Sequence, residues 1–102
     1  MVIQYNLVCL NTLLYKTAGV YFDYNFEQKV RRNYVFGTMF MPMWASIASK
    51  EQAAHLVANL PLLETVGGLQ MSDNISGNQW DAPYDWAPLQ LLAVQGLRRY
   101  GY

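Results

Sequence analysis

Between Gln79 and Pro88 the chain reads QWDAPYDWAP, with two tryptophans, two aspartates and two prolines in ten residues. A proline removes a backbone donor and fixes φ, and it drives the preceding residue out of the α region. Neither a helix interior nor a central strand tolerates that twice in six residues. The segment is therefore a stiff, irregular connection, and the rest of the fold has to be built on either side of it.

The flanks carry helical signals. Downstream, PLQLLAVQGLRRYGY places Leu89, Leu92, Ala93, Gly96, Leu97 and Tyr100 on one face. Pro88 suits the first helical position, Arg98 and Arg99 complement the macrodipole at the end, and Gly101 suits a left-handed C′ position. Upstream, SKEQ at 49–52 is a capping box with Ser49 as N-cap and Gln52 at N3. Ala53, Val57 and Leu60 continue that helix as an apolar stripe, and Pro61 closes it. The spacing of Leu7, Leu10 and Leu14 predicts a further helix over 6–16.

The intervening segments are less regular. TAGVYFDYN at 17–25 reads as a turn followed by a short extended piece, and FEQKVRRN as a polar connection. YVFGTMFMPMWASIAS is rich in methionine and aromatic side chains, broken at Gly37 and Pro42, and reads as core packing. Residues 64–78 form a long loop, punctuated by Gly67-Gly68, Asp73-Asn74 and Ser76-Gly77.

Composition narrows the function. One small domain accounts for 102 residues. Only 14% of them are charged, which is few for a chain with so much surface to cover, so the sequence reads like the inside of something larger. A net charge of zero argues against an electrostatic nucleic-acid binder. Cys9 is the single cysteine, so the chain holds no internal disulfide and no multi-cysteine zinc site. Cys9 lies among Leu7, Val8 and Leu10 and reads as a small buried side chain. The one histidine, His55, lies on a surface-type helix pattern, so a Cys–His nucleophile is not expected. No signal-peptide pattern and no apolar run of about 20 residues is present, so no membrane span is predicted.

Two readings of QWDAPYDWAP remain open on composition alone. Indoles beside carboxylates hold sugars, since the indole covers the C–H face of the ring and the carboxylate accepts from hydroxyls. Alternatively the tryptophans plug a core and the aspartates cap the following helix. Asp81 and Asp85 are not expected to be a glycosidase acid/base pair. Such a pair flanks the scissile bond from opposite sides, whereas these two leave from one short loop.

The segment resembles the second signature of the α,α-trehalases, Q-W-D-x-P-x-[small]-W-[small]-P. Gln79, Trp80, Asp81, Pro83, Trp86, Ala87 and Pro88 fit it, and Asp85 stands where the family has glycine or another small residue. GGLQMSDNISGNQWD, LQLLAVQGL, AGVYFDYN, PMWA and LNTLLYK are similar to further family segments, with Cys9 in place of an aspartate. The resemblance covers nearly the whole chain and is strongest over 17–102.

It implies an all-α fold, part of an (α/α)6 toroid with a few helices joined by long aromatic-rich loops. The activity implied is inverting hydrolysis of trehalose to two glucose molecules, with no metal and no organic cofactor. Gln79, Trp80 and Asp81 would line a glucosyl subsite, with Pro83, Trp86 and Pro88 supporting the loop. The family's acid lies in a segment before Met1 and its base in one after Tyr102, so residues 1–102 would hold no catalytic residue. A few dozen residues expected between LNTLLYK and AGVYFDYN are absent, which makes Lys16-Thr17 a junction. Family enzymes occur in periplasmic, secreted and cytoplasmic forms, and no nucleic-acid, membrane or protein partner is implied. The alternative is a truncated, non-catalytic carbohydrate-binding or interaction module.

Overall fold

The computed structural model describes residues 19–102 together with the short strand Leu14–Tyr15. Cys9, the Lys16-Thr17 junction and most of the helix expected over 6–16 lie outside the described residues. The last part of that helix is corrected: Leu14–Tyr15 (β1) pairs antiparallel with Val20–Tyr21 (β2). The turn between them includes Gly19 at φ 70°, a value that favours glycine.

Two more hairpins follow the same local logic. Tyr24–Asn25 (β3) pairs with Val30–Arg31 (β4), and Asn25 Oδ1 accepts from the backbone N–H groups of Glu27 and Gln28 to close the turn. Glu64–Thr65 (β5) pairs with Gly68–Leu69 (β6), so the long loop expected over 64–78 opens as a hairpin. Among the described residues all six strands are two residues long. The chain is therefore helix-rich but not all-α. Pairs this short carry no readable alternation in sequence, and turn geometry fixes them.

The helices match their signals more closely. A 3₁₀ turn, Gly37–Phe40, leads into the four-residue helix Met41–Trp44 (α1). Pro42 sits in the first turn of α1, where no donor is needed, instead of breaking the segment. Helix α2, Lys50–Ala58, carries the capping box in full: Ser49 Oγ accepts from Gln52 N–H at 3.1 Å, and Gln52 Oε1 from Ser49 N–H at 2.8 Å. It ends before Leu60, and Pro61 falls in the 3₁₀ turn Leu60–Leu62.

Helix α3, Ala87–Arg99, starts one residue earlier than expected, which puts Pro88 at the second helical position. It closes with a Schellman arrangement. Tyr102 N–H reaches the Leu97 carbonyl, Gly101 N–H reaches that of Arg98, and Gly101 has φ 85°.

The core gathers on the buried sides of these elements: Met39, Phe40 and Met43 from the 3₁₀ turn and α1, Ala53 and Leu56 from α2, Ala93 from α3, with Val20, Tyr21, Val35 and Leu63. Met39, Phe40 and Met43 of the methionine and aromatic run are thus packing material, while Trp44 and Ile47 at its end are exposed. Burial, reinforced by Tyr100, pushes the Tyr21 phenol up to about 12.

Gly96 sets how closely α1 and α3 approach. A β-carbon there would lie 2.9 Å from the backbone nitrogen of Trp44 and 3.1 Å from Met43 Cβ. The neighbour is backbone and cannot rotate aside. We therefore expect Gly96→Ala to lower stability by about 1–2 kcal/mol, because overpacking outweighs the gain in helix propensity. Gly67→Ala, with nothing within 4 Å of the new carbon, should stay within about 0.5 kcal/mol of the parent. Denaturant midpoints of the two variants check both values.

Candidate sugar-facing site

The segment from Gln70 to Trp86 has neither helix nor ladder, so its backbone groups need other partners. On one side it pairs with residues 35–37. Phe36 and Ser72 form an isolated antiparallel bridge, Gly37 N–H donates to Met71 at 2.7 Å, and Asp73 N–H donates to Val35 at 3.2 Å. Asp73 Oδ1 accepts from Val35 N–H at 2.8 Å. On the other side the segment folds back on itself: Met71 N–H donates to Tyr84, and Ala82 N–H to Asn74, each at 2.8 Å. Gln90 on α3 adds a side-chain strand, since its amide both accepts from and donates to the backbone of Leu69.

Asp81 sits at the centre. Its Oδ1 accepts from Ser72 Oγ at 2.7 Å, and its Oδ2 from Asn74 Nδ2 at 3.2 Å and from the Ser76 hydroxyl. The hydroxyls of Ser76 and then Ser72 hold the carboxyl below its ordinary value. Asn74 and the charge of Arg32 act in the same direction, and partial desolvation opposes them. A carboxyl held this way stays ionised and is not a general acid, which needs a raised value.

Trp80 and Trp86 face each other edge-on, with centroids 5.3 Å apart and planes at 77°. They are 47% and 42% exposed. Trp86 was expected to support the loop from the core, but it is nearly as open as Trp80 and meets it as a partner ring. Neither aspartate caps α3, whose N-cap is Trp86 with no side-chain cap bond. The reading in which tryptophans plug a core and aspartates cap a helix is therefore not the arrangement found.

Gln79, Pro83 and Pro88 are exposed along the same stretch, and Tyr84 adds a third half-open ring. Asp85, the departure from the family pattern, is bridged through its backbone to Gln70. It is not among the described non-glycine residues of positive φ, Lys29 and Ser46, so a side chain is accommodated there without strain. Sequence reasoning missed Ser72, Asn74, Ser76 and Gln90. The only signal for the three residues before the motif was the density of short polar side chains there, and Gln90 on α3 carried none.

A hollow of about 330 Å³ lined by Phe22, Arg31, Arg32 and Asn33 lies by the β3–β4 hairpin and not on the tryptophan loop. Among the described residues no group of three or more His, Cys, Asp or Glu could hold a metal ion, and no helix is long and apolar enough to cross a membrane.

Two half-open indoles thus stand on a loop fastened by the Asp81 carboxylate, at the N-terminal end of α3 on a helix-rich scaffold. The trehalase family model matches residues 7–102. The chain belongs to the trehalase family.

It is 44% identical over 95 residues to a cytosolic neutral trehalase of Saccharomyces cerevisiae, covering 83% of this chain and 13% of that protein. It is 40% identical over 89 residues to a periplasmic trehalase of Xanthomonas axonopodis pv. citri, covering 86% of this chain and 16% of the relative. The solved structure of a neutral trehalase from Saccharomyces cerevisiae superposes with a TM-score of 0.87 at 40% identity, over 95% of this chain and 19% of that one. The chain thus spans a small part of the length of these relatives.

The lowered value at Asp81 fixes a sign. A carboxyl depressed in the folded state contributes stability above its unfolded value, and loses it only as pH falls through the folded value. The thermal midpoint of the parent should exceed that of Asp81→Asn at pH 7. The gap should hold down to the ordinary value of 3.8 and close only below it. A gap that closes between about pH 7 and 5 would contradict the assigned hydrogen bonds.

Proposed function

We propose that this chain is a section of an α,α-trehalase, contributing a few helices and one site loop to an (α/α)6 toroid that hydrolyses trehalose to two glucose molecules with inversion. The observation that carries the reading is the open Trp80 ring, held beside Trp86 on a loop that Asp81 pins from within. Trp80 covers the apolar face of a glucosyl ring. Asp81 has about four acceptor positions and uses three on the loop, which leaves one for a sugar hydroxyl. Gln79 offers an amide beside them. Pro83, Trp86 and Pro88 stiffen the loop.

The acid and base of the inverting reaction belong to other parts of the family's domain. One protonates the glycosidic oxygen while the other activates water on the opposite face. Lys16-Thr17 is the junction at which one helical hairpin of the toroid is missing, and sequencing the transcript across it tests that point.

A second reading, a non-catalytic sugar-binding or interaction module, is favoured by the apolar side chains left open on this chain. Leu91 and Val94 on α3, Trp44 at the end of α1 and Ile47 just after it are exposed. In the trehalase reading the remaining helices of the toroid cover them.

The 102-residue chain should release no measurable glucose from trehalose. Absence of a positioned acid or base costs about 10²–10⁴-fold each. Built into the corresponding section of the Saccharomyces cerevisiae cytosolic neutral trehalase, residues 64–102 should support turnover. Trp80→Ala in that chimera should lower kcat/KM about tenfold or more. Robust turnover by the isolated chain, abolished by Asp81→Asn or Asp85→Asn, would overturn the reading.

A further inference from the structure

Ser72 is a fully buried polar side chain, 0% exposed, in a core otherwise lined by apolar groups. Its backbone belongs to the bridge with Phe36, and its neighbours Met71 and Asp73 bond to Gly37 and Val35. Those partners lead directly into the 3₁₀ turn and α1, so Ser72 is fixed to the packed part of the chain. Its hydroxyl proton goes to Asp81 Oδ1 at 2.7 Å, and its oxygen accepts the Asn74 N–H at 3.2 Å. The Asn74 carbonyl is also within reach at 3.3 Å, but the shorter bond to an ionised acceptor is the stronger one.

Asp81 has two other side-chain donors, Asn74 and Ser76. Both stand on the exposed part of the loop. Of the three, Ser72 alone is itself bridged to a residue outside the loop, Phe36. Asp81 precedes the Pro83 turn and follows Trp80 directly, so holding its carboxylate holds the indole. We propose that Ser72 is the positioning residue of this site: through its hydrogen bond to Asp81 it sets the placement of Trp80 against Trp86 and so the shape of the sugar-facing surface. The proposal rests on the reading of Trp80 as part of a glucosyl subsite, and it deepens that reading.

Three measurements on the 102-residue chain test it. Ser72→Ala and Ser72→Thr are compared by NMR titration of the Asp81 carboxyl carbon, by the exciton couplet of the Trp80–Trp86 pair in circular dichroism, and by fluorescence titration with trehalose. In Ser72→Ala the Asp81 carboxyl should titrate nearer its ordinary value, the couplet should weaken, and trehalose binding should weaken about tenfold, the worth of a hydrogen bond to a charged group. Ser72→Thr, which keeps the hydroxyl, should restore all three. Unchanged carboxyl titration and couplet in a folded Ser72→Ala chain would overturn the proposal. If Ser72→Ala does not fold, Asp81→Asn replaces it: a folded Asp81→Asn chain with a lost couplet supports the proposal, and one with the parental couplet overturns it. A parent chain that binds no trehalose, while carboxyl and couplet still respond to Ser72→Ala, leaves the positioning role standing and removes the glucosyl-subsite reading.

Discussion

A backbone that is neither helix nor sheet must still pair the polar groups it buries, and from Gln70 to Trp86 this chain does so through irregular backbone bonds and isolated bridges, reinforced by side chains. One carboxylate, Asp81, collects three donors and converts an open stretch of serines and asparagines into a closed loop. Asp73 ties the loop to Val35, and Gln90 ties the preceding hairpin to α3. Ser72 and Ala82 are buried beneath the loop, while Trp80 and Trp86 stay half-exposed on it.

The scaffold beneath is held by contacts of another kind. Gly96 lets α3 lie against α1 at backbone distance, and Gly37 leaves room for Leu89, whose Cδ2 would lie 2.1 Å from any β-carbon there. Close helix contact fixes the N-terminal end of α3, and Trp86 is the N-cap of α3. Packing thus places one end of the loop, while hydrogen bonding to residues 35–37 places the other. The indole pair sits where those two constraints meet.

Much of this was legible in the sequence, and the unread part has a physical pattern. The capping box at Ser49 and the glycine closure at Gly101 are local devices whose partners lie within a few residues, so spacing alone identified them. The three hairpins were harder, because a two-residue ladder has no period to count and its stability comes from turns such as the Asn25 motif. The loop was recognised through the resemblance of QWDAPYDWAP. Its fastening was not, since Ser72 acquires its role only by pairing with Phe36, far back in the chain. Trp86 shows the limit of composition: a large apolar ring before a helix reads as a plug, yet the ring packs against another exposed indole.

Backbone hydrogen bonds outside any regular ladder, reinforced by the side chains of Ser72, Asp73 and Asp81, hold this loop as firmly as the core beside it. Amide hydrogen exchange measures that directly. The N–H groups of Met71, Asp73 and Ala82, which bond to Tyr84, Val35 and Asn74, should be protected to the level of amides in the middle of α3. Exchange of these three amides at the rate of an unstructured chain, with α3 still protected, would contradict it.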